Sequence, residues 1–128
     1  MADGRASNGD RTDDRRRAPR VPLVGVLVTV ISPDGEDVLC ASDALDISTE
    51  GIALVLPEQV DRELDPGDGV LVSFRLEDGT AFARIPCRVV RRDEGIGGLE
   101  FTWDRPARRR LAESLATLRS QPGFSNYN

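Results

Sequence analysis

Apolar and polar residues alternate with the two-residue period of β-strands over most of the chain. The clearest example is the stretch 70–76, in which one face consists of Val70, Val72, Phe74 and Leu76. Ser73 and Arg75 fall on the opposite face. This alternation predicts a strand that faces a hydrophobic core on one side only.

Turn signals rich in Pro, Asp and Gly divide the pattern into six predicted strands. They cover about 22–32, 37–47, 52–56, 70–76, 81–92 and 96–101. The polar connection over 58–68 has room for a short helical turn. In the fifth strand we expect an inward face of Ala83, Ile85, Cys87 and Val89. Pro86 lacks an amide N–H for the ladder, which predicts a bulge or an edge position there.

The hydrophobic period becomes helical after residue 103. Asp104 is a suitable N-cap, and Pro106 fits the first turn of a helix over 105–120. Its apolar stripe consists of Leu111, Leu115 and Leu118. We expect the stripe to pack across an open end of the sheet; a docking surface for a partner or a second copy is the alternative. The whole pattern predicts an all-β fold, a small six-stranded antiparallel β-barrel with a C-terminal α-helix.

The length of 128 residues suits one domain. We expect a disordered tail over 1–13, a domain over 14–120 and a frayed tail over 121–128. The apolar run over 21–31 is too short to span a bilayer, and the N-terminus lacks the apolar stretch of a secretory signal. These features predict a cytoplasmic protein without membrane insertion, with Cys40 and Cys87 as reduced, buried thiols.

The charge composition argues for binding rather than catalysis. The net charge is −5, all 17 basic residues are Arg, and there is no His. The two cysteines are too far apart for a metal motif, and Ser48 beside Asp46 has no His or Lys to take its proton. We therefore expect no enzyme activity, no metal and no cofactor.

Two short polar motifs are the candidates for function. Asp46-Ile-Ser48-Thr-Glu-Gly51 lies between apolar runs. Taken alone it is typical of a turn, closed by Asp and Ser side chains, with Gly supplying a positive φ. The second motif is an arginine arm in which Arg16 and Arg20 are four positions apart, and Pro19 favours an extended conformation there.

Together, the Arg-x-x-x-Arg arm and the following Asp-x-Ser-x-x-Gly sequence resemble the PilZ domain, the bacterial receptor for cyclic di-GMP. The resemblance extends over about 14–118 and includes Gly97-Gly98-Leu99-Glu100-Phe101 before the helix. It implies a stand-alone, single-domain receptor that binds this second messenger in signal transduction. The implied ligand-binding residues are Arg16, Arg20, Asp46, Ser48 and Gly51.

The residue types suit a ligand with two phosphodiesters and two guanines. Arg16 and Arg20 can pair with phosphate and with the O6 and N7 acceptors of guanine. Asp46 can accept hydrogen bonds from guanine N1 and N2, and Ser48 adds a hydroxyl. Gly51 lets the backbone approach without a Cβ clash. In the family, the arm closes over the barrel when the ligand binds.

Three further residues are secondary candidates for ligand contact. Arg15 directly precedes the arginine motif, and an arginine there implies a stacked pair of ligand molecules in each domain. Arg17 adds a further cation to the arm. Gly98, with Gly97, invites close approach of another backbone or of a ligand.

Two other functions stay open at this stage. A small barrel with arginines can bind single-stranded nucleic acid, but the acidic total and the few aromatic residues speak against it. A PilZ-like adaptor that needs no nucleotide is the other alternative, and such members usually lack the signature seen here. Output through an unidentified protein partner is expected, with motility, exopolysaccharide synthesis (biofilm control) and transcription all possible and the oligomeric state open.

Overall fold

The computed structural model of the protein describes residues 19–119. Within this part the strands are β1 Val21–Pro22, β2 Leu27–Ile31, β3 Val38–Ile47, β4 Gly51–Val55, β5 Gly69–Arg75, β6 Ala81–Asp93 and β7 Ile96–Phe101. The helices are α1 Glu58–Glu63 and α2 Arg105–Arg119. All strand pairs are antiparallel.

The sheet closes on itself. The strand order is β3-β2-β5-β6-β7-β4, and β4 pairs again with β3. The short strand β1 pairs with the C-terminal end of β3, beyond the part that pairs with β2, with Val21 opposite Ile47 and Pro22 opposite Asp46. The predicted six-stranded antiparallel barrel with a C-terminal helix is therefore confirmed, and closure leaves its six strands without a free sheet edge.

The barrel interior is filled by the inward side of each strand. In β5, Val70, Val72 and Phe74 are at most 5% exposed, as the alternation predicts. Phe74 stacks on Phe82 with ring centroids 5.1 Å apart. Burial of this apolar surface is the main stabilising contribution to the fold.

The prediction of one continuous strand over 22–32 is wrong. The chain leaves the sheet between β1 and β2, where Gly25 has a φ of +76° and Val24 is 69% exposed. The left-handed conformation of Gly25 turns the chain out of the regular ladder, so the strand is interrupted there. Backbone hydrogen bonds still hold the interruption to β3, from Leu23 N to Leu45 O and from Ala44 N to Val26 O, both 2.9 Å long.

The predicted inward face of β6 is wrong at Ala83, which is exposed. Phe82 is buried in its place, because Arg84 takes a φ of +53° and shifts the register against β5. The Arg84 amide donates to Ser73 Oγ at 2.9 Å. The bulge is therefore at Arg84 rather than at Pro86, which keeps its pairing with β5.

The C-terminal helix packs against the barrel. Asp104 Oδ1 accepts a hydrogen bond from the Ala107 amide at 3.1 Å, which confirms the predicted N-cap. The leucine stripe, 111, 115 and 118, is at most 4% exposed and belongs to the core. This favours packing for the stripe over docking. No helix in the range 19–119 is long and apolar enough to cross a membrane.

Candidate ligand-binding site

The pairing of β1 with β3 brings the end of the arginine arm to the polar hexapeptide. Val21 is fully buried and pairs with Ile47, so it fixes the chain directly after Arg20. Arg20 Nη1 then lies 2.7 Å from Asp46 Oδ1. Of the predicted site residues, the structure brings these two into direct contact.

The ion pair lies on the outer surface of the barrel. The Arg20 side chain is 57% exposed and the Asp46 side chain 31%. Water screens a pair in such a position, so it stabilises the fold by about 0–1 kcal/mol. Both charged groups are exposed enough to contact a dissolved anion or a nucleobase.

Ser48 closes the turn between β3 and β4. Its Oγ accepts a hydrogen bond from the Glu50 amide at 3.0 Å, and its own amide donates to Gly51 O at 2.9 Å. The side chain is almost fully buried. The expected closure of the turn by the Ser48 side chain is therefore present, whereas the Asp46 side chain contacts Arg20 instead. A hydroxyl that accepts one bond can still donate another.

Gly51 is required by the neighbouring strand. A Cβ at this position would lie 2.2 Å from the carbonyl oxygen of Leu99 on β7. The expected positive φ is wrong, because the left-handed glycines of this part of the chain lie elsewhere. Gly51 does allow close approach of a backbone, and that backbone belongs to β7.

Glu50 fastens the same turn to the rest of the barrel. Its carbonyl oxygen accepts a hydrogen bond from the Phe101 amide at 2.9 Å, and its carboxylate pairs with Arg108 on α2. Sequence reasoning missed this pair because its members are 58 positions apart. The turn that carries Ser48 is thus tied to both β7 and α2.

A row of paired residues continues from Asp46 across the outer surface. Asp46 pairs with Ala53 on β4, Ala53 with Gly98 on β7, and Gly98 with Arg91 on β6. Residues paired in this way point to the same face of a sheet. The Arg91 side chain lies beside Gly98, since a Cβ added to Gly98 would be 3.4 Å from Arg91 Cβ.

The place of Arg91 in this row was missed by sequence reasoning, although a sequence signal for it exists. Glu94 and Gly95 both have positive φ and form a two-residue hairpin turn between Asp93 and Ile96. In a hairpin with this turn, residues at equal distances from the turn pair with each other: 93 with 96, 92 with 97 and 91 with 98. The predicted site residues Arg15, Arg16 and Arg17 lie outside the described residues.

Metal-binding side chains are not grouped in the described part of the chain. Over 19–119, no set of three His, Cys, Asp or Glu side chains is placed to hold a metal ion. Cys40 and Cys87 are both free thiols.

The family model of the PilZ domain matches residues 14–117. The chain belongs to the PilZ domain family. Residues 14–117 include both polar motifs and every strand of the barrel. A search among curated proteins finds no match.

Several solved structures share the fold, and one of them is described as a PilZ domain. The PilZ domain of CeSA from a cellulose-synthesizing bacterium is 23% identical, with a TM-score of 0.56, and the match covers 77% of this chain and 99% of that one. The K. pneumonia MrkH–c-di-GMP complex is also 23% identical, with a TM-score of 0.64. That match covers 81% of this chain and 52% of MrkH. A Legionella protein described as uncharacterized is 18% identical, with a TM-score of 0.57 over 79% of this chain and 94% of its own.

Proposed function

We propose that the protein is a receptor for cyclic di-GMP. The observation that carries the proposal is the contact of Arg20 with Asp46 on the exposed surface of a PilZ barrel. Both residues occupy signature positions for recognition of this ligand. The solved MrkH complex with c-di-GMP, a structural neighbour of this chain, supports the choice of ligand.

Each residue has a role that its chemistry allows. Asp46 accepts hydrogen bonds from N1 and N2 of a guanine, and Ser48 donates its hydroxyl hydrogen. Arg16 and Arg20 bind phosphate and the O6 and N7 edge of guanine. Gly51 acts indirectly, because it lets β4 lie close enough to β7 for the turn to keep its position.

Ligand binding exchanges one set of contacts for another. The Arg20–Asp46 pair is exposed and weak, so the ligand can take over both partners at small cost. The arm that precedes Arg20 then changes conformation and closes over the ligand. The protein transmits this change by contact with a protein partner, in control of motility, exopolysaccharide synthesis or transcription.

The number of bound ligands depends on the arm. Arg15, directly before the arginine motif, favours a stacked pair of cyclic di-GMP molecules over a single one. Isothermal titration calorimetry measures this number directly. We expect about two ligands for each chain, and a ratio of one would exclude the stacked pair.

The burial of aromatic residues speaks against single-stranded nucleic acid as the ligand. Phe74, Phe82 and Phe101 are at most 7% exposed and belong to the barrel core. Nucleic-acid-binding barrels use exposed aromatic rings as stacking platforms. Trp103 is only partly buried, but its ring packs against the core, with its centroid 4.3 Å from that of Phe101.

Calorimetry with purified protein tests the proposal. Cyclic di-GMP, GTP and a single-stranded oligonucleotide are titrated separately, and we expect a strong signal for cyclic di-GMP alone. Replacing both Arg16 and Arg20 by Ala should abolish that signal. Unchanged affinity of the double variant, or equal binding of the oligonucleotide, would refute the proposal; no binding at all would favour the nucleotide-independent adaptor.

A further inference from the structure

We infer that Arg91 is a further ligand-binding residue, which contacts the half of cyclic di-GMP that lies away from Asp46. This inference rests on the proposed function. Arg91 lies on β6, so it adds a positively charged contact to those of the arginine arm and the polar hexapeptide. Three observations support it: the position of Arg91, its freedom from partners, and the placement of its guanidinium over Gly98.

Position is the first observation. Arg91 lies in the same outward-facing row as Asp46, with Ala53 and Gly98 between them. Neighbouring strands are about 4.8 Å apart, so the two residues stand three such spacings from each other. A ligand with a guanine at each end can meet Asp46 with one base and extend along the row towards Arg91.

Freedom from partners is the second observation. Three arginines of β6 lie close together near the turn into β7, namely 88, 91 and 92. The guanidinium of Arg88 pairs with Glu100, and that of Arg92 donates to the carbonyl oxygen of Asp61. Over residues 19–119, Arg91 has no ion-pair or hydrogen-bond partner for its guanidinium, so its donors are available to a ligand.

The placement of the guanidinium over Gly98 is the third observation. A Cβ at position 98 would lie 3.6 Å from Arg91 Nε and 3.8 Å from its Nη2. The guanidinium of the exposed Arg91 therefore lies over Gly98 on the outer face of β7. A planar guanidinium in this position can stack on a guanine ring or donate to its O6 and N7 atoms.

The test compares Arg91→Ala with Arg75→Ala. Both changes remove one exposed arginine charge, but Arg75 lies at the far end of the barrel, where it donates to Gly79 O beside the β5–β6 turn. Calorimetry with cyclic di-GMP should show a loss of about ten- to a hundred-fold for Arg91→Ala and less than about two-fold for Arg75→Ala. Arg91→Lys, which keeps the charge without the planar fork, should recover only part of the affinity.

The outcomes separate this inference from the proposed function. If the wild type binds cyclic di-GMP and Arg91→Ala binds equally well, the inference is wrong and the proposed function stands. If the wild type does not bind, both fail. Equal losses for the two alanine variants would show a general charge effect and would also overturn the inference, and thermal unfolding of each variant checks that it is folded.

Discussion

Arg20 and Asp46 join two motifs that are 26 positions apart, through a hydrogen-bonded ion pair of 2.7 Å on the barrel surface. The contact exists because β1 lies beside β3 with Val21 buried in the core. In this pair the positive charge of Arg20 is directed at the negative charge of Asp46, and neither group is free to contact a ligand until the pair separates. In the proposed function, ligand binding requires an exchange of partners, which costs little because the pair is exposed.

Asp46→Asn should weaken cyclic di-GMP binding without unfolding the protein. The amide loses the negative charge and has one oxygen left to accept from guanine N1 and N2. We expect an affinity loss of about ten- to a hundred-fold, by calorimetry. Stability in urea should change by less than about 1 kcal/mol, because the lost ion pair is exposed.

The matched control for that variant is Glu58→Gln on α1. It makes the same acid-to-amide change in another exposed ion pair, with Arg62 one helical turn away. We expect its affinity for cyclic di-GMP to equal that of the wild type. An equal loss in both variants would assign the effect of Asp46→Asn to net charge instead of base recognition.

Gly51→Ala should destabilise the barrel strongly. The new Cβ would lie 2.2 Å from the Leu99 carbonyl oxygen. Neither β4 nor β7 can move away without breaking the hydrogen bonds between these two strands. We expect a loss of about 3 kcal/mol in the free energy of unfolding, measured by urea denaturation.

Gly69→Ala on β5 is the control for Gly51→Ala. A Cβ there would find its nearest neighbour, Cys87 O, at 3.8 Å, which is ordinary contact. We expect stability to stay within about 1 kcal/mol of the wild type. If the two alanine variants unfolded at the same urea concentration, the steric role of Gly51 would be wrong.

The two thiols should react at different rates in the folded protein. Burial raises the pKa of Cys87 to about 12, and burial also raises the pKa of the half-buried Cys40 above its ordinary value. At pH 8 the thiolate fraction of Cys87 is roughly one part in ten thousand. Alkylation followed by mass spectrometry should label Cys40 first, and both thiols should react alike in concentrated urea. Faster labelling of Cys87 under native conditions would contradict its burial.

Sequence alone predicted much of the local structure. Alternation along β5 and the helical spacing of Leu111, Leu115 and Leu118 both reflect burial of one face, and the burial confirms them. Asp104 was predictable as an N-cap because its hydrogen bond reaches only three residues ahead. The residues that make up each of these signals lie within a few positions of one another, so the signals can be recognised in the sequence directly.

Strand register was less predictable, because single residues can shift it. The left-handed conformation of Arg84 moved Phe82 into the core and Ala83 out of it. The bend at Gly25 divided a run of apolar residues that looked continuous. A bulge changes which face a residue takes without changing the hydrophobic composition of the strand.

The motif residues and their spacing were determined by the sequence by itself, and so was the chemistry that they offer. Tertiary structure decided which of them meet. The β1–β3 pairing places Arg20 against Asp46, and the β4–β7 pairing presses β7 against Gly51. Closure of the barrel between β3 and β4 aligns Arg91 with the same outer row. These contacts join residues far apart in the chain, and they depend on strand order and register, which local patterns of polarity do not specify.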